Sequence, residues 1–366
     1  MFIAISIGIL ALLILVHEAG HFAAAKWQGI HVNRFSLGFG PILWSWQGQE
    51  TEYALRLLPL GGFVGFPDQE EDCPYPANDP DLLKNRPVLD RLVVMAAGVM
   101  ANLLFAYLVL ATMFGTVGIP EVAAYQPGIL IPQVLQASPA QQAGLQSGDV
   151  VVAAADQDYR QIGNETEATE AIDRFQKLIQ SHGGQPLSLQ VERSQQILSL
   201  TVVPQVRGSD SPPVIGVNLA PHQQRQFRAA QGIPEILGQA NQAYKRLVQI
   251  NVDGFRQLIQ NFQNTANQVS GPVGIVKMGA DLAESDAVSL FNFTALISIN
   301  LAILNLLPLP ALDGGHIAFL LLEALRGKRL PRQIEERVMH TGLVVLMGLG
   351  IVLIFKDTIA LVVGAG

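Results

Sequence analysis

The segment Val16-His17-Glu18-Ala19-Gly20-His21 lies inside Phe2–Ala25, an apolar stretch with one acidic residue and no Lys or Arg. A charged side chain near the centre of a bilayer costs about 2.5–3.5 kcal/mol on insertion scales, so it needs compensating partners there. His17 and His21 are four residues apart, and on a helix both imidazoles can reach one metal ion. Glu18 lies beside that face, where it can act on water without being a ligand. The pattern favours metal-assisted peptide hydrolysis over the alternative of two structural histidines and a buried Glu.

The composition predicts a membrane protein with soluble parts. Of 366 residues, 49% are hydrophobic and 14% are charged, against about 25% charged residues in soluble domains. Four segments are near the length of about 20 residues that crosses the hydrocarbon. They are Phe2–Ala25, Leu92–Thr116, Phe291–Leu312 and His340–Val362. The net charge is −7 and no basic stripe occurs, so we expect no nucleic-acid partner.

Basic residues near the predicted spans set the expected orientation. They concentrate in the connection after the first span (Lys26, Arg34, Arg56, Lys84, Arg86, Arg91) and in the one after the third (Arg326, Lys328, Arg329, Arg332, Arg337). Both connections should be cytoplasmic. Both termini and the long segment between the second and third spans should then lie outside. Lys26 follows His21 by about 7–8 Å of helix, which puts the histidine motif near the cytoplasmic interface.

A pair of strands is predicted after the first span. Asn33–Trp46 and Glu52–Phe66 are rich in aromatic and β-favouring residues, and 47–50 is a plausible turn. A membrane-associated hairpin or small sheet is expected. Its glycines, Gly38, Gly40, Gly61, Gly62 and Gly65, allow positive φ or close backbone approach. The sheet edge could pair with an extended substrate segment, or the hairpin could merely plug the helix bundle.

The outer segment resembles a bacterial PDZ domain. An apolar strand, Ile129–Val134, is followed by residues that match the SPAxxAGLxxGDxV signature, ending at Val151. A helix at 165–180 and two alternating strands, Leu187–Val191 and Leu198–Val203, complete the order. Ala155-Asp156 stands where the signature usually has Asn-Gly. PDZ domains capture peptide ends or strands, so the domain either binds a peptide ligand or serves as a size filter.

Apolar residues recur at helical spacing between 233 and 269, and the opposite face is rich in Gln and Asn. This predicts an amphipathic helix or helix pair lying on the membrane surface or on the PDZ-like module, or else packed on its own domain. The expected division is 1–119 with the histidine motif and the β segment, 120–222 for the PDZ-like α+β domain, 223–288 for the amphipathic region, and 289–366 for the last two spans.

A third metal ligand is expected from the third span. A catalytic zinc usually has three protein ligands and an open position, so His17 and His21 leave one to be supplied. Asp313 and His316 are both candidates, and chemistry alone does not choose between them. Pro308 and Pro310 break the helix just before them, which would let the segment unwind towards a metal. Asn305 could bind an extended substrate backbone.

Five ordered motifs together resemble the site-2 protease family of intramembrane zinc metalloproteases, in the branch of the bacterial regulator of sigma-E protease. They are HEAGH at His17–His21, FSLGFGP at Phe35–Pro41, LPLGGFV at Leu58–Val64, SGPVGI at Ser270–Ile275 and NLLPLPALDGG at Asn305–Gly315. Two features depart from the family pattern. The second span has Gly98-Val99-Met100-Ala101-Asn102 where a Gly-Pro pair usually precedes the Asn, and one PDZ-like domain is present where some members have two.

The resemblance implies Zn²⁺ as cofactor, Asp313 as its third ligand and Glu18 as general base. It also implies that Asn305 and Pro308 hold the substrate and that the glycine-rich sheet receives an unwound substrate segment. Substrates would be single-span proteins already trimmed outside, such as anti-sigma factors or signal-peptide remnants, in a bacterial plasma membrane. The rival classes are a catalytically inactive scaffold and a transporter; a transporter usually shows inverted repeats, which four dissimilar spans lack.

Overall fold

A computed structural model describes the chain except residues 71, 136–137, 207–211, 262–268, 330 and 364–366. The chain forms two compact units, one of Met1–Val117 with Ala229–Gly366 and one of Gly118–Arg228. The described helices are α1 (Phe2–Trp27), α2 (Val88–Thr116), α3 (Pro139–Gln142), α4 (Glu165–Ser181), α5 (Ile233–Gln260), α6 (Pro272–Ser285), α7 (Ala287–Leu306), α8 (Asp313–Arg326) and α9 (Arg332–Val363). The strands are β1 (Arg34–Gln47), β2 (Glu52–Gly65), β3 (Ile119–Val134), β4 (Val150–Ala154), β5 (Gln157–Asp158), β6 (Leu187–Arg193), β7 (Gln196–Val202) and β8 (Val217–Arg228).

Four helices of the first unit are long and apolar enough to cross a membrane: α1, α2, α7 and the part of α9 at Gln333–Leu361. The number agrees with the four predicted spans. The third span was predicted to continue to Leu312, but α7 ends at Leu306. Pro308 and Pro310 follow, and proline removes a helical hydrogen bond and clashes with the preceding turn. Residues 307–312 are therefore not helical.

Small and polar residues bring the membrane helices close together. A Cβ on Gly20 of α1 would lie 2.5 Å from the Ala97 carbonyl oxygen of α2, so only glycine allows this approach. The Ser298 hydroxyl of α7 donates a hydrogen bond of 2.8 Å to the Asn102 carbonyl of α2. Close backbone packing and interhelical hydrogen bonds are the main sources of association where lipid is as apolar as the side chains.

β1 and β2 form a more folded sheet than the predicted simple hairpin. Residues 42–47 pair antiparallel with 52–56 across the turn. Residues 34–37, at the start of β1, then lie between two parts of β2: they run parallel to 52–55 and antiparallel to 62–65. Each strand bends at glycines with positive φ, at Gly38 (+89°) and Gly40 (+86°) in β1 and at Gly61 (+92°) in β2. The last part, Gly62–Gly65, is an edge segment of this sheet.

The second unit is an antiparallel sheet of order β7-β6-β4-β3-β8 with α4 packed on it. Its core contains Tyr159, Phe175 and Leu189, all fully buried. The helix and the two late strands agree with the sequence prediction, and the predicted strand at 129–134 is the second half of the longer β3. The predicted boundary at 222 falls inside β8, which pairs with β3 as far as Arg228.

A buried ion pair fixes the loop before β4. The side chain of Asp149 is 1% exposed and accepts hydrogen bonds from Arg193 of β6, at 2.7 Å from Nε and 2.8 Å from Nη2. The hydrogen bond to Asp149 raises the pKa of the Arg193 guanidinium. A buried carboxylate that lost this partner would be strongly destabilising, so Arg193 is needed wherever Asp149 is buried.

In the described part of the amphipathic segment one helix, α5, packs on α2 of its own unit, and residues 262–268 lie outside the described residues. Ala240, Ala243 and Leu247 are buried. Tyr244 contacts Tyr107 of α2 edge to face, with ring centroids 5.8 Å apart. These contacts agree with the predicted alternative of packing on its own domain.

The last helix is held to α6 by a carboxylate near the end of the fourth apolar segment. Asp357 of α9 is 8% exposed, and its Oδ2 accepts a hydrogen bond of 2.7 Å from the Gly274 amide in the first turn of α6. The Lys356 ammonium donates to the Val269 carbonyl at 2.9 Å. A Cβ on Gly271 would lie 2.8 Å from Asp357 Oδ2. The glycines of the SGPVGI motif therefore make room for the capping carboxylate.

We predict that Asp357→Leu lowers the free energy of unfolding by about 1–2 kcal/mol, because the first turn of α6 loses its cap. Asp357→Asn keeps an acceptor and should retain most of the stability. The matched control is Thr358→Val, since the Thr358 hydroxyl donates to the Ile354 carbonyl of its own helix. The measurement is the midpoint of thermal unfolding in detergent. Equal midpoints for Asp357→Leu and Thr358→Val would contradict the capping role.

Candidate metal centre

Three side chains from α1 and the start of α8 converge in the first unit. His17 Nε2 lies 3.1 Å from His21 Nε2 and 3.1 Å from Asp313 Oδ2, and His21 Nε2 lies 3.4 Å from the same oxygen. Both histidines are buried. The helix brings the two imidazoles together because they are one turn apart. This is one of two groups among the described residues whose atoms could hold a metal ion.

The spacing of these atoms fits a tetrahedral zinc site. With Zn–N of about 2.0–2.1 Å and Zn–O of about 2.0–2.2 Å, ligand atoms in a tetrahedron are about 3.3–3.5 Å apart. The observed separations of 3.1–3.4 Å are close to this. Asp313 Oδ2 is also buried, and among the described residues it has no hydrogen bond of good geometry, although both histidine nitrogens lie within 3.4 Å of it. A buried acceptor of this kind is costly unless something binds it, and a cation would do so.

The unwound stretch before α8 determines which side chain completes the group. Asp313 is the first residue of α8 and meets both histidines. His316 lines the same cavity, but its Nδ1 lies 3.9 Å from Glu335 and its side chain is 40% exposed. The two candidates that chemistry left open are thus placed differently: Asp313 lies with the histidines and His316 lies towards Glu335.

The second possible group has other partners. It comprises His31, Asp79 and Asp81. Asp81 accepts a hydrogen bond of 2.6 Å from Arg86, and the Nδ1 of His31 lies 2.6 Å from Glu50. These charges are already compensated, so the first group is the candidate metal centre.

Helix α2 forms the wall behind the two histidines. Gly98 faces them so closely that a Cβ there would lie 2.3 Å from His21 Nε2 and 2.8 Å from His17 Cε1. The Nδ1 of His21 lies 2.8 Å from the Val94 carbonyl oxygen, one turn earlier. One turn later, the Asn102 amide lies 3.5 Å from His17 Nδ1. The residues 94, 98 and 102 therefore make one continuous face towards the imidazoles.

The edge segment of the small sheet lies beside Glu18. A Cβ on Gly62 would lie 2.9 Å from Glu18 Cγ and 3.3 Å from Ile14 Cγ2. Glycine at this position lets the strand pass directly over the carboxylate side chain. Glu18 is therefore flanked by the histidine pair on its own helix and by the sheet edge.

A cavity of about 970 Å³ contains these groups and connects them to a charged region. His17, Glu18, His21, Asn305 and Asp313 line it, together with Gly61 and Gly62. A set of charged residues also lines it: Asp68, Lys84, Arg91, Glu323, Arg329, Glu335 and Glu336. The cavity therefore combines an apolar lining with charged groups, and it is large enough to admit water to the candidate centre.

The remaining predicted site residues are distributed unevenly. Asn305 Nδ2 lies 3.3 Å from His17 Nε2. Pro308 is exposed and does not line the cavity, and neither Gly38 nor Gly40 lines it. For these three the geometry indicates an effect on backbone shape: Pro308 follows the end of α7, and the two glycines bend β1.

Sequence reasoning missed the face of α2. Gly98 and Asn102 were noted only as part of a departure from the family pattern. A signal was present, because an Asn inside an apolar span is costly unless it has a function or a partner. Gly98 and Asn102 are also four residues apart, so they share one face of the helix.

An ion pair ties α2 to α8, the helix that carries Asp313. Arg91 Nη2 lies 2.5 Å from Glu323 Oε1, and Nη1 lies 3.0 Å from Oε2. The side chains are 12% and 15% exposed. The hydrogen bond from Arg91 lowers the pKa of the Glu323 carboxyl. Bidentate pairs of this kind fix geometry as well as charge.

Comparisons with known proteins identify relatives over nearly the whole chain. The family model described as "Peptidase family M50" matches residues 5–349. A Nostoc protein named as a zinc metalloprotease is 50% identical over 355 residues, which cover 96% of this chain and 94% of the relative. A chloroplastic membrane metalloprotease of Arabidopsis thaliana is 41% identical, covering 97% and 78%. A Clostridium perfringens protein, also named as a zinc metalloprotease, is 32% identical, covering 98% and 99%.

A solved PDZ domain from Listeria monocytogenes aligns with 25% of this chain and 87% of its own, at 16% identity and a TM-score of 0.21.

We predict that Gly98→Ala abolishes or severely weakens metal binding, because the new methyl group would occupy space next to His21 Nε2. Gly115→Ala on the same helix is the control, since a Cβ there would lie no closer than 3.6 Å to Ile236. The measurement is zinc content after dialysis, by atomic emission. Equal zinc content in the two variants would show that α2 does not approach the histidines as closely at Gly98 as described.

We predict that Glu323→Gln lowers the free energy of unfolding at pH 7 by about 1–3 kcal/mol, because the charged pair with Arg91 is lost. The pKa of Glu323 is lower in the folded chain than in the unfolded chain. Its contribution is therefore complete above the ordinary carboxyl pKa of about 4.3 and disappears as the pH falls through the folded value. Thermal unfolding of wild type and variant should thus differ at pH 7 and converge in acid. Exposed Glu170→Gln is the control.

Proposed function

The chain belongs to peptidase family M50, and on that premise we propose that it hydrolyses peptide bonds within the membrane-spanning segments of single-span proteins. Membership makes it a zinc metalloprotease. The observation that carries the finer proposal is the group His17, His21 and Asp313, with nitrogen and oxygen atoms 3.1–3.4 Å apart. Two of these side chains belong to α1, a helix apolar enough to span a membrane.

We assign His17, His21 and Asp313 as the zinc ligands. Two imidazole nitrogens and one carboxylate oxygen are the donor types that catalytic zinc sites combine with an open position. When bound, Zn²⁺ supplies a Lewis acid that polarises a peptide carbonyl and makes water more acidic. Asp313 is in the first turn of α8, where the helix dipole favours a negative charge.

We assign Glu18 as the general base. It lines the cavity beside the ligands. Because Glu18 directly follows His17 on α1, its side chain lies beside the helix face that carries His17 and His21, and it is not itself a ligand. In this role the Glu18 carboxylate accepts the proton of the attacking water and returns a proton to the leaving amine nitrogen. The amide of Asn305, 3.3 Å from His17 Nε2, is placed to donate to a substrate carbonyl.

The edge segment Gly62–Gly65 is the proposed binding surface for the substrate backbone. A helical peptide bond is shielded because its carbonyl is hydrogen-bonded within the helix, so the substrate must unwind before hydrolysis. An unwound segment exposes N–H and C=O groups, and a sheet edge satisfies them by adding the segment as a further strand. Gly62, directly over Glu18, sets this edge beside the proposed base.

The charged end of the cavity supports the orientation inferred from basic residues. Lys84, Arg91 and Arg329 line it, and they belong to connections that the distribution of Lys and Arg assigns to the cytoplasm. Water would then reach the ligands from the cytoplasmic side. Both termini and the second unit would lie outside, in a bacterial plasma membrane.

The second unit is proposed to act as a PDZ-like module that limits or selects substrates. Its strand order and single long helix suit a PDZ-like domain, and α4 and the sheet enclose the core. Either it binds a peptide ligand or it excludes proteins whose outer part has not been trimmed. The module explains a preference for short single-span proteins, such as anti-sigma factors or signal-peptide remnants.

The test is cleavage of a short single-span reporter by the purified full chain in liposomes. We expect Glu18→Gln to bind zinc in wild-type amount and to cleave at least 100-fold more slowly, because it removes the proton acceptor and no ligand. Glu284→Gln, an exposed carboxylate on α6, is the control and should cleave normally. A wild-type chain that holds zinc and cleaves no reporter, or a fully active Glu18→Gln chain, would refute the proposal.

A further inference from the structure

One ring nitrogen of His17, Nδ1, faces away from the proposed metal. It needs a hydrogen-bond acceptor, which the ligand set does not supply. Nε2 of His17 points at His21 and Asp313, at 3.1 Å from each. A nitrogen that ligates a metal carries no proton. A neutral imidazole has one N–H, so the proton of His17 must then be on Nδ1, and this N–H needs an acceptor inside a buried site.

The side chain of Asn102 is next to that nitrogen. It is fully buried on α2, and its amide lies 3.5 Å from His17 Nδ1, with Nδ2 as the nearer atom. In that arrangement the amide donates and His17 carries its proton on Nε2, which excludes ligation through Nε2. The other end of the amide, Oδ1, is buried and has no hydrogen-bond partner in the part of the chain that the structure describes.

Turning the amide by half a turn gives the Nδ1 proton of His17 an acceptor in the Asn102 oxygen, and the amide nitrogen then takes the buried position that Oδ1 held. The oxygen and nitrogen of an Asn side chain have nearly the same shape, and the hydrogen-bond network decides between the two orientations. In the turned orientation, Oδ1 accepts the Nδ1 proton of His17 and Nε2 is free for the metal.

We propose that Asn102 is a positioning residue that accepts the Nδ1 proton of His17 and so fixes the tautomer and ring orientation required for zinc. The inference rests on the ligand set of the proposed function. It assigns to α2 the support of both histidines, since the Nδ1 of His21 has the Val94 carbonyl oxygen at 2.8 Å. For His21 the acceptor is backbone; for His17 it is a side chain that substitution can remove.

Contacts with α7 and the close approach at Gly98 fix the position of Asn102. The hydroxyl of Ser298 on α7 donates to the Asn102 carbonyl at 2.8 Å. Gly98, one turn earlier, lets α2 approach the imidazoles to this distance. Acceptors that are hydrogen-bonded to a metal-ligating histidine typically contribute about 10–100-fold to metal affinity.

The experiment measures zinc affinity of the full chain in detergent by competition with a chelator, for wild type, Asn102→Leu and Asn102→Asp. We expect Asn102→Leu to bind zinc about 10–100-fold more weakly, because the acceptor is lost at nearly constant volume. Asn102→Asp keeps an acceptor and should bind within a few-fold of wild type, or more tightly. Asn292→Leu is the matched control, since its amide donates to Val288 of its own helix and to Met113 Sδ of α2 rather than to a histidine, and it should bind as wild type does.

The order of the two Asn102 variants separates positioning from packing. If Asn102 only filled space, Leu would be tolerated, and Asp would be the worse variant because it buries a charge in an apolar bundle. Wild-type affinity in Asn102→Leu, or weaker binding in Asn102→Asp than in Asn102→Leu, would overturn the inference. Zinc binding is measured without substrate, so a chain that binds zinc and fails to cleave would count against the proposed function alone.

Discussion

Three proposed ligand atoms are held within 3.4 Å of one another among helices whose side chains are mostly apolar. Each polar group in such an environment is costly unless it is bound, so the group His17, His21 and Asp313 demands an arrangement that satisfies every one of its atoms. Two ligands share one helix, and this fixes their spacing locally. The third follows a helix broken at Leu306, and this break lets Asp313 begin a new helix beside α1. The fold of the first unit follows from bringing these two pieces together.

Helix α2 holds α1 and α8 in position, although it supplies none of the proposed ligands. It packs on α1 through the close contact at Gly20, on α7 through the Ser298 hydrogen bond, and on α8 through the pair of Arg91 and Glu323. Its face towards the histidines has no side chain at Gly98 and a hydrogen-bonding group one turn on either side. A metal site with ligands on two elements needs a third element to set the angle between them, and α2 has the contacts to do so.

Local sequence patterns predicted the helices and the spacing of the two histidines. Features that depend on contacts between distant parts of the chain were not predicted correctly or were left open. The spans and the pairing of His17 with His21 follow from hydropathy and helical period. The choice between Asp313 and His316 depends on how residues 307–312 turn, which no local pattern specifies. The small sheet was expected as a hairpin because its turn is recognisable, but its folding back at Gly38 and Gly61 depends on partners 18 or more residues away. Strand β8 was missed because its Gln-rich sequence has weak strand preference, and pairing with β3 overrides it.

The same constraint that shapes the enzyme also applies to what it cuts. A membrane helix that unwinds leaves backbone N–H and C=O groups unpaired, at a cost of several kcal/mol each in hydrocarbon. The edge segment Gly62–Gly65 has one side paired with residues 34–37, and no strand among the described residues pairs with its other side. It can therefore compensate part of that cost only where it lies, next to Glu18. Unwinding is then least costly beside the proposed base, so the sheet edge would select the bond to be cut and leave helices elsewhere in the membrane intact.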